Sequence, residues 1–181
     1  MLKTFICIAS GPSLTRADCL LAACSGHPII AVNSTWRLAP ECHYIYAGDL
    51  SWWKHNFHCI SVPAEHWTCS TSAADRYGVN LFHPARRGAF NSGMRAIQFA
   101  VYQGAQRIIL LGYDCSLENG THWHGDHPAK MHNPLPGEVA RWHKDFSTLA
   151  AELPGVEIIN CSRRTALTCF PKNSPEILFH A

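Results

Sequence analysis

The segment THWHGDHPAKMHN, residues 121–133, places His122, His124, His127 and His132 within thirteen residues, with Asp126 among them. Two chemistries suit that set. Neutral imidazoles at short spacing, as in His122-x-His124-x2-His127, can share a divalent transition metal. An imidazole with a pKa near about 6.5 also suits removal of a hydroxyl proton at neutral pH, and a neighbouring carboxylate can orient its ring. His127 and His124 are the preferred bases, because Gly125-Asp126 lies between them and Asp126 reaches either ring. No cysteine partner lies nearby and no separate ligand cluster is evident. The loop is therefore expected as a catalytic wall ahead of a metal site or a solvated loop, and no residue is assigned to metal.

Such a loop acts only where a fold places it. Apolar runs bounded by turn residues alternate with helical periodicity, which predicts an α/β protein with a mainly parallel sheet. Strands are expected at 3–9, 28–33, 43–47, 57–62, 79–83, 107–112 and 156–160. Three helices are clear: about 15–24, entered at Ser13 or Leu14; 92–104, capped by Ser92; and 136–153. The last carries Val139, Trp142, Phe146, Leu149 and Leu153 on one stripe. The fold class is a single Rossmann-like domain over residues 1–181, long enough for one core and too short for two.

Composition narrows the setting. With 47% hydrophobic and 15% charged residues the chain is an ordinary globular one, and a net charge of +2 gives no support to a nucleic-acid surface. The apolar start MLKTFICIAS is too short to span a membrane and runs into Gly11-Pro12, so it reads as a buried strand rather than a signal peptide. Nine scattered cysteines without a CxxC pair argue against a disulfide framework. Cys7, Cys19, Cys24 and Cys59 are expected as small hydrophobes, and the cytoplasm is the expected compartment.

In open parallel sheets ligands gather at the carboxyl ends of the strands. Four segments should meet there. IASGPSLT places Gly11, Pro12 and Ser13 at a helix entry, where backbone N–H groups favour a phosphate, or else form a tight turn and cap. IAVNSTW ends in Asn33, whose amide donates and accepts. YIYAGDLSWW supplies Asp49, for a metal, a ribose or a helix cap, and Trp52-Trp53, for stacking or core. RIILLGYD ends at Asp114, where substrate-orienting carboxylates belong. In HPARRGAFNSG, Arg86 and Arg87 offer an anion site or a basic loop, beside Asn91 and Ser92 at a helix start.

GPSL after the first strand, Asn33 after the second, and NSGMRAIQFAVYQGAQRIILLGYD together resemble the bacterial sialyltransferases that use CMP-sialic acid, and the related archaeal 6-hydroxymethylpterin diphosphokinase-like group. The resemblance runs from about residue 4 to 170. Small single-domain members with a His-Trp-His-Gly-Asp-His loop of this kind occur in phage and prophage genomes. It implies that Gly11, Pro12 and Ser13 lie beside the nucleotide phosphate and that Asn33 contacts the nucleotide. Ser92 and Gly93 would face the donor's acidic group, with Gly112 and Asp114 as the floor. The histidine that serves as base in those enzymes has no unique counterpart here. The loop also follows Asp114 more closely than in them, which leaves the acceptor open.

The leading expectation is a transferase with a CMP-sugar-like donor, an unidentified acceptor, a histidine base and no required cofactor. The alternatives are ATP-dependent diphosphoryl transfer, with Mg²⁺ on Asp49, Asp114 and Asp126, and a non-catalytic nucleotide- or metal-binding module.

Overall fold

The computed structural model describes residues 1–85, 91–128 and 131–180. Seven strands form one wholly parallel sheet: β1 (Thr4–Ile8), β2 (Ile29–Val32), β3 (Tyr44–Tyr46), β4 (Glu65–Thr68), β5 (Asn80–Leu81), β6 (Arg107–Leu111) and β7 (Glu157–Asn160), in the order β5-β4-β3-β2-β1-β6-β7. Every residue of β1 and β2 is buried, as a strand covered on both faces requires. Alternation then divides β1 between two cores. Phe5 and Cys7 face α4 (Ser92–Tyr102) and α5 (Pro136–Glu152), whereas Ile6 and Ile8 face α1 (Arg16–Cys24), α2 (Leu50–Asn56) and α3 (Thr71–Tyr77).

The strand order matters for the site. From β1 the chain winds outward to β5, then crosses back and places β6 on the other side of β1. The helices that follow β1 and β6, α1 and α5, therefore lie on opposite faces, and a crevice opens above the point where the two strand-end loops meet. No helix among the described residues is long and apolar enough to cross a membrane.

Several sequence expectations need correction. Residues 57–62 form no strand; Phe57–Cys59 is a 3-10 turn that continues α2, and the strand is Glu65–Thr68, paired to β3 through Tyr46 and Trp67. The apolar content that suggested a strand reflects Phe57 packed against Trp53 and Tyr77. Helices α2 and α3 were not expected; each has seven residues, and α3 runs from a Ser70 cap to Gly78 at φ +66°. Helix α1 is capped by Thr15 rather than Ser13 or Leu14, and α4 by Asn91 rather than Ser92, because Ser13 and Ser92 bond elsewhere. Of the α5 stripe, Phe146 and Leu149 are buried. All nine cysteines are free, but Cys24 and Cys59 are exposed rather than packed.

Phe99 on α4 is fully buried and meets the rings of Tyr44, Tyr46, Trp67, Phe82 and Tyr102. Phe99→Ala is expected to cost about 3–5 kcal/mol in urea unfolding, with the denaturant slope unchanged. Tyr102, 63% exposed, should cost about 1 kcal/mol or less when truncated.

Candidate functional site

The crevice holds a cavity of about 420 Å³, within the usual size range of small-molecule sites. Its floor is backbone. Gly11 donates its N–H to Gly112 O at 2.8 Å, and a Cβ on Gly11 would fall 2.2 Å from Asp114 Oδ1. Gly112 sits at φ +71°, and a Cβ there would meet Ala9 O at 2.3 Å. Glycine is thus required at both positions by contact, and at Gly112 by conformation as well.

Asp114 is buried against this floor. Ser13 donates its N–H to Oδ2 at 2.9 Å and its hydroxyl to Oδ1 at 2.8 Å. Ser13 therefore neither caps α1 nor presents its hydroxyl to a phosphate; it fixes the carboxylate. Burial pushes the Asp114 pKa up, against the opposing pull of Ser13 and the positive Arg164.

Asn33 ends β2 in the left-handed region at φ +53°, and its side-chain oxygen is buried without a hydrogen-bond partner among the described residues. It lines the cavity. Non-glycine residues rarely hold this conformation, and a buried acceptor left unpaired is costly. Both features make Asn33 a candidate ligand contact.

The amino end of α4 supplies another wall. Asn91 caps the helix by accepting the Met94 N–H, while Ser92 accepts the Gly48 N–H at 3.0 Å and Gly93 packs beneath Tyr113. All three line the cavity with buried Arg95, whose guanidinium donates to Gln98 Oε1, and the carboxylates of Asp49, Asp114 and Glu138 line it as well, so the amino end of α4 is one of several charged groups that face it. Asp49 reaches the cavity from the cap position of α2 without a side-chain capping bond. Trp52 and Trp53 do not reach it. Both are buried, donating their indole N–H groups to Ser34 Oγ and Ala47 O, and so are core rather than stacking platforms.

The histidine loop forms the facing wall with Glu138, Trp142 and Phe146, one face of α5. A turn closed by Gly125 N–H on His122 O folds the loop back, and Trp123 N–H on Ser10 O ties it to β1. His122, His124 and His127 converge, with ring centroids 4.5–5.1 Å apart. Burial lowers all three pKa values, that of His122 to about 4 with help from its two neighbours, so the rings are neutral at pH 7. Asp126 does not orient a ring; it accepts the Thr121 hydroxyl at 2.6 Å. His127 lines the cavity, and so do His122 and His132, whereas His124 and Asp126 stand behind. Among the described residues Asp49, Asp114 and Asp126 form no shared ligand group.

The expected Arg86 and Arg87 site lies outside the described residues. Sequence reasoning missed His122 as the most buried ring, and its partner Ser10, which bonds it at 3.0 Å across 112 residues. The position of Ser10, just past a buried strand, was the one available signal.

Because burial raises its pKa, Asp114 is costly when charged, a cost absent below its unfolded pKa and complete above its folded one. Asp114→Asn, which can still pair with Ser13, is expected to melt at or above the wild-type temperature at pH 7. That advantage should vanish as pH falls through the folded Asp114 pKa. Asp114→Ala orphans the Ser13 N–H and should cost about 1–3 kcal/mol in chemical denaturation.

No protein-family model matches the chain, and no curated protein matches it. A solved structure that it resembles is that of the MAf glycosyltransferase from Magnetospirillum magneticum AMB-1, with a TM-score of 0.62 over 97% of this chain at 10% identity. This chain spans 34% of that one, about a third of its length. The likeness is one of fold, and it supports a single Rossmann-like α/β domain.

Proposed function

We propose that this chain transfers a glycosyl group from a nucleotide-activated, CMP-sugar-like donor to a hydroxyl acceptor. Asn33 carries the reading. Its unpaired buried oxygen, fixed in a strained conformation over the cavity, suits a donor such as the exocyclic amino group of cytosine. The backbone floor at Gly11 and Gly112 leaves room for the ribose and phosphate. The amino end of α4 then stabilises the charge that gathers on the phosphate as the sugar leaves.

In the transfer the acceptor oxygen bonds the anomeric carbon while the carbon–oxygen bond to the phosphate breaks. The acceptor's proton leaves toward the histidine wall, where His127 lines the cavity. Resemblance to CMP-sialic-acid enzymes in GPSL and in the Ser92–Asp114 block supports the donor, and the glycosyltransferase bearing the same fold supports the coarser reading of glycosyl transfer.

The test is a melting series with CMP, a CMP-sugar and ATP, each with and without Mg²⁺. CMP at about a hundred times its Kd should stabilise the protein by about 2.7 kcal/mol. Asn33→Gly relieves the left-handed strain, so it should fold as stably as the wild type yet bind CMP about tenfold more weakly. Equal CMP affinity in Asn33→Gly would remove the basis of the assignment. A shift by Mg²⁺-ATP alone would select diphosphoryl transfer instead.

A further inference from the structure

We infer that His122, His124 and His127 form a binding site for one divalent transition-metal ion of the zinc class, set in the wall of the cavity. One ring nitrogen from each residue lies within 4.8 Å of the others. Tetrahedral zinc–imidazole bonds of about 2.0–2.1 Å place such nitrogens roughly 3.3 Å apart, so modest side-chain rotation closes the set.

An independent observation supports the site. His122 Nδ1 lies 3.0 Å from Ser10 Oγ, and His122 Nε2 is buried without a hydrogen-bond partner among the described residues. If Nδ1 carries the hydrogen and donates it to Ser10, the Nε2 lone pair points at nothing. An outer-shell acceptor on one ring nitrogen, with the other left bare, is how metal-binding imidazoles are oriented. Backbone ties keep the loop in place without using the rings: Trp123 N–H to Ser10 O, and His127 N–H to Asn133 Oδ1. Asp126, the nearby carboxylate, bonds Thr121.

Three imidazoles leave a fourth position for water or an oxygen ligand, the composition of an open rather than a structural zinc site. His122 and His127 line the cavity, so that position serves a hydroxyl or phosphate oxygen bound there. The site itself does not depend on the glycosyl-transfer reading; the identity of that oxygen ligand rests on it, and the proton-accepting role given to His127 above belongs to the metal-free protein, since a ligated imidazole has no lone pair left for a proton.

Cobalt(II) titrated into the chelator-stripped full chain provides the test. The expected result is saturation at one equivalent, with visible bands of a nitrogen–oxygen four-coordinate ion and no thiolate charge-transfer band, since nine free cysteines could otherwise bind the metal. His122→Ala, His124→Ala and His127→Gln should each weaken binding more than tenfold. Ser10→Ala should weaken it by about tenfold, and His132→Ala, whose ring bonds Glu138, should leave it unchanged. Zinc should raise the melting temperature of the wild type but not of folded His124→Ala. A thiolate band, or one-equivalent binding that survives His122→Ala or His124→Ala, would overturn the site, as would failure to bind. The CMP response of the stripped protein is read separately, so loss of metal binding and loss of the donor reading are distinguishable.

Discussion

Asp114 is a carboxylate held almost out of water by two bonds from one residue, and those bonds join the ends of β1 and β6. The connection spans 101 residues of sequence, yet it works only because Gly11 and Gly112 let the two loops touch. Any side chain at either glycine would drive the loops apart and unpair Ser13 from Asp114. With that pairing goes the crevice, because the same loops make the cavity floor. The Arg164 N–H on Ser13 Oγ and the Ala166 N–H on Asp114 O extend the knot to the segment after β7. A desolvated charge at its centre costs stability, and the fold accepts that cost where the site is built.

The walls around the floor obey different rules. On the α4 side, groups are fixed by the helix: Asn91 caps it, Ser92 binds Gly48, and Gly93 sits against Tyr113. On the opposite side the histidine loop is held by a few backbone ties and by α5. Its three rings share one small volume, an arrangement in which protonation of any ring opposes protonation of the others. All three rings therefore stay neutral to a lower pH than an exposed histidine does.

Much of the scaffold was legible because it follows from local chemistry. Continuous apolar runs marked the inner strands, and Gly11-Pro12 marked the turn that leaves β1. The amphipathic stripe marked α5. The region 50–77 was not legible for the same reason: α2 and α3 have seven residues each, too few for a periodic signal, and the aromatic residues that join them to β4 read equally well as strand. At the site, residue types at strand ends pointed to Gly11, Asn33, Ser92 and Asp114. Their partners could not be read, since Ser13–Asp114 and Ser10–His122 are contacts across more than a hundred residues. Capping shows the same limit: Ser13 and Ser92 are good caps by type, but each had a distant partner that Thr15 and Asn91 lacked.

A floor made of main chain has no side-chain identity to exchange. Gly11 and Gly112 admit no substitution that preserves the contact, and Asp114 is occupied by Ser13. Room for substitution is thereby confined to one side, the stretch between β6 and α5, which lies outside the strand register. The domain thus separates a fixed receptacle from a face built of side chains, and substitutions on that face can alter what approaches the receptacle without refolding it.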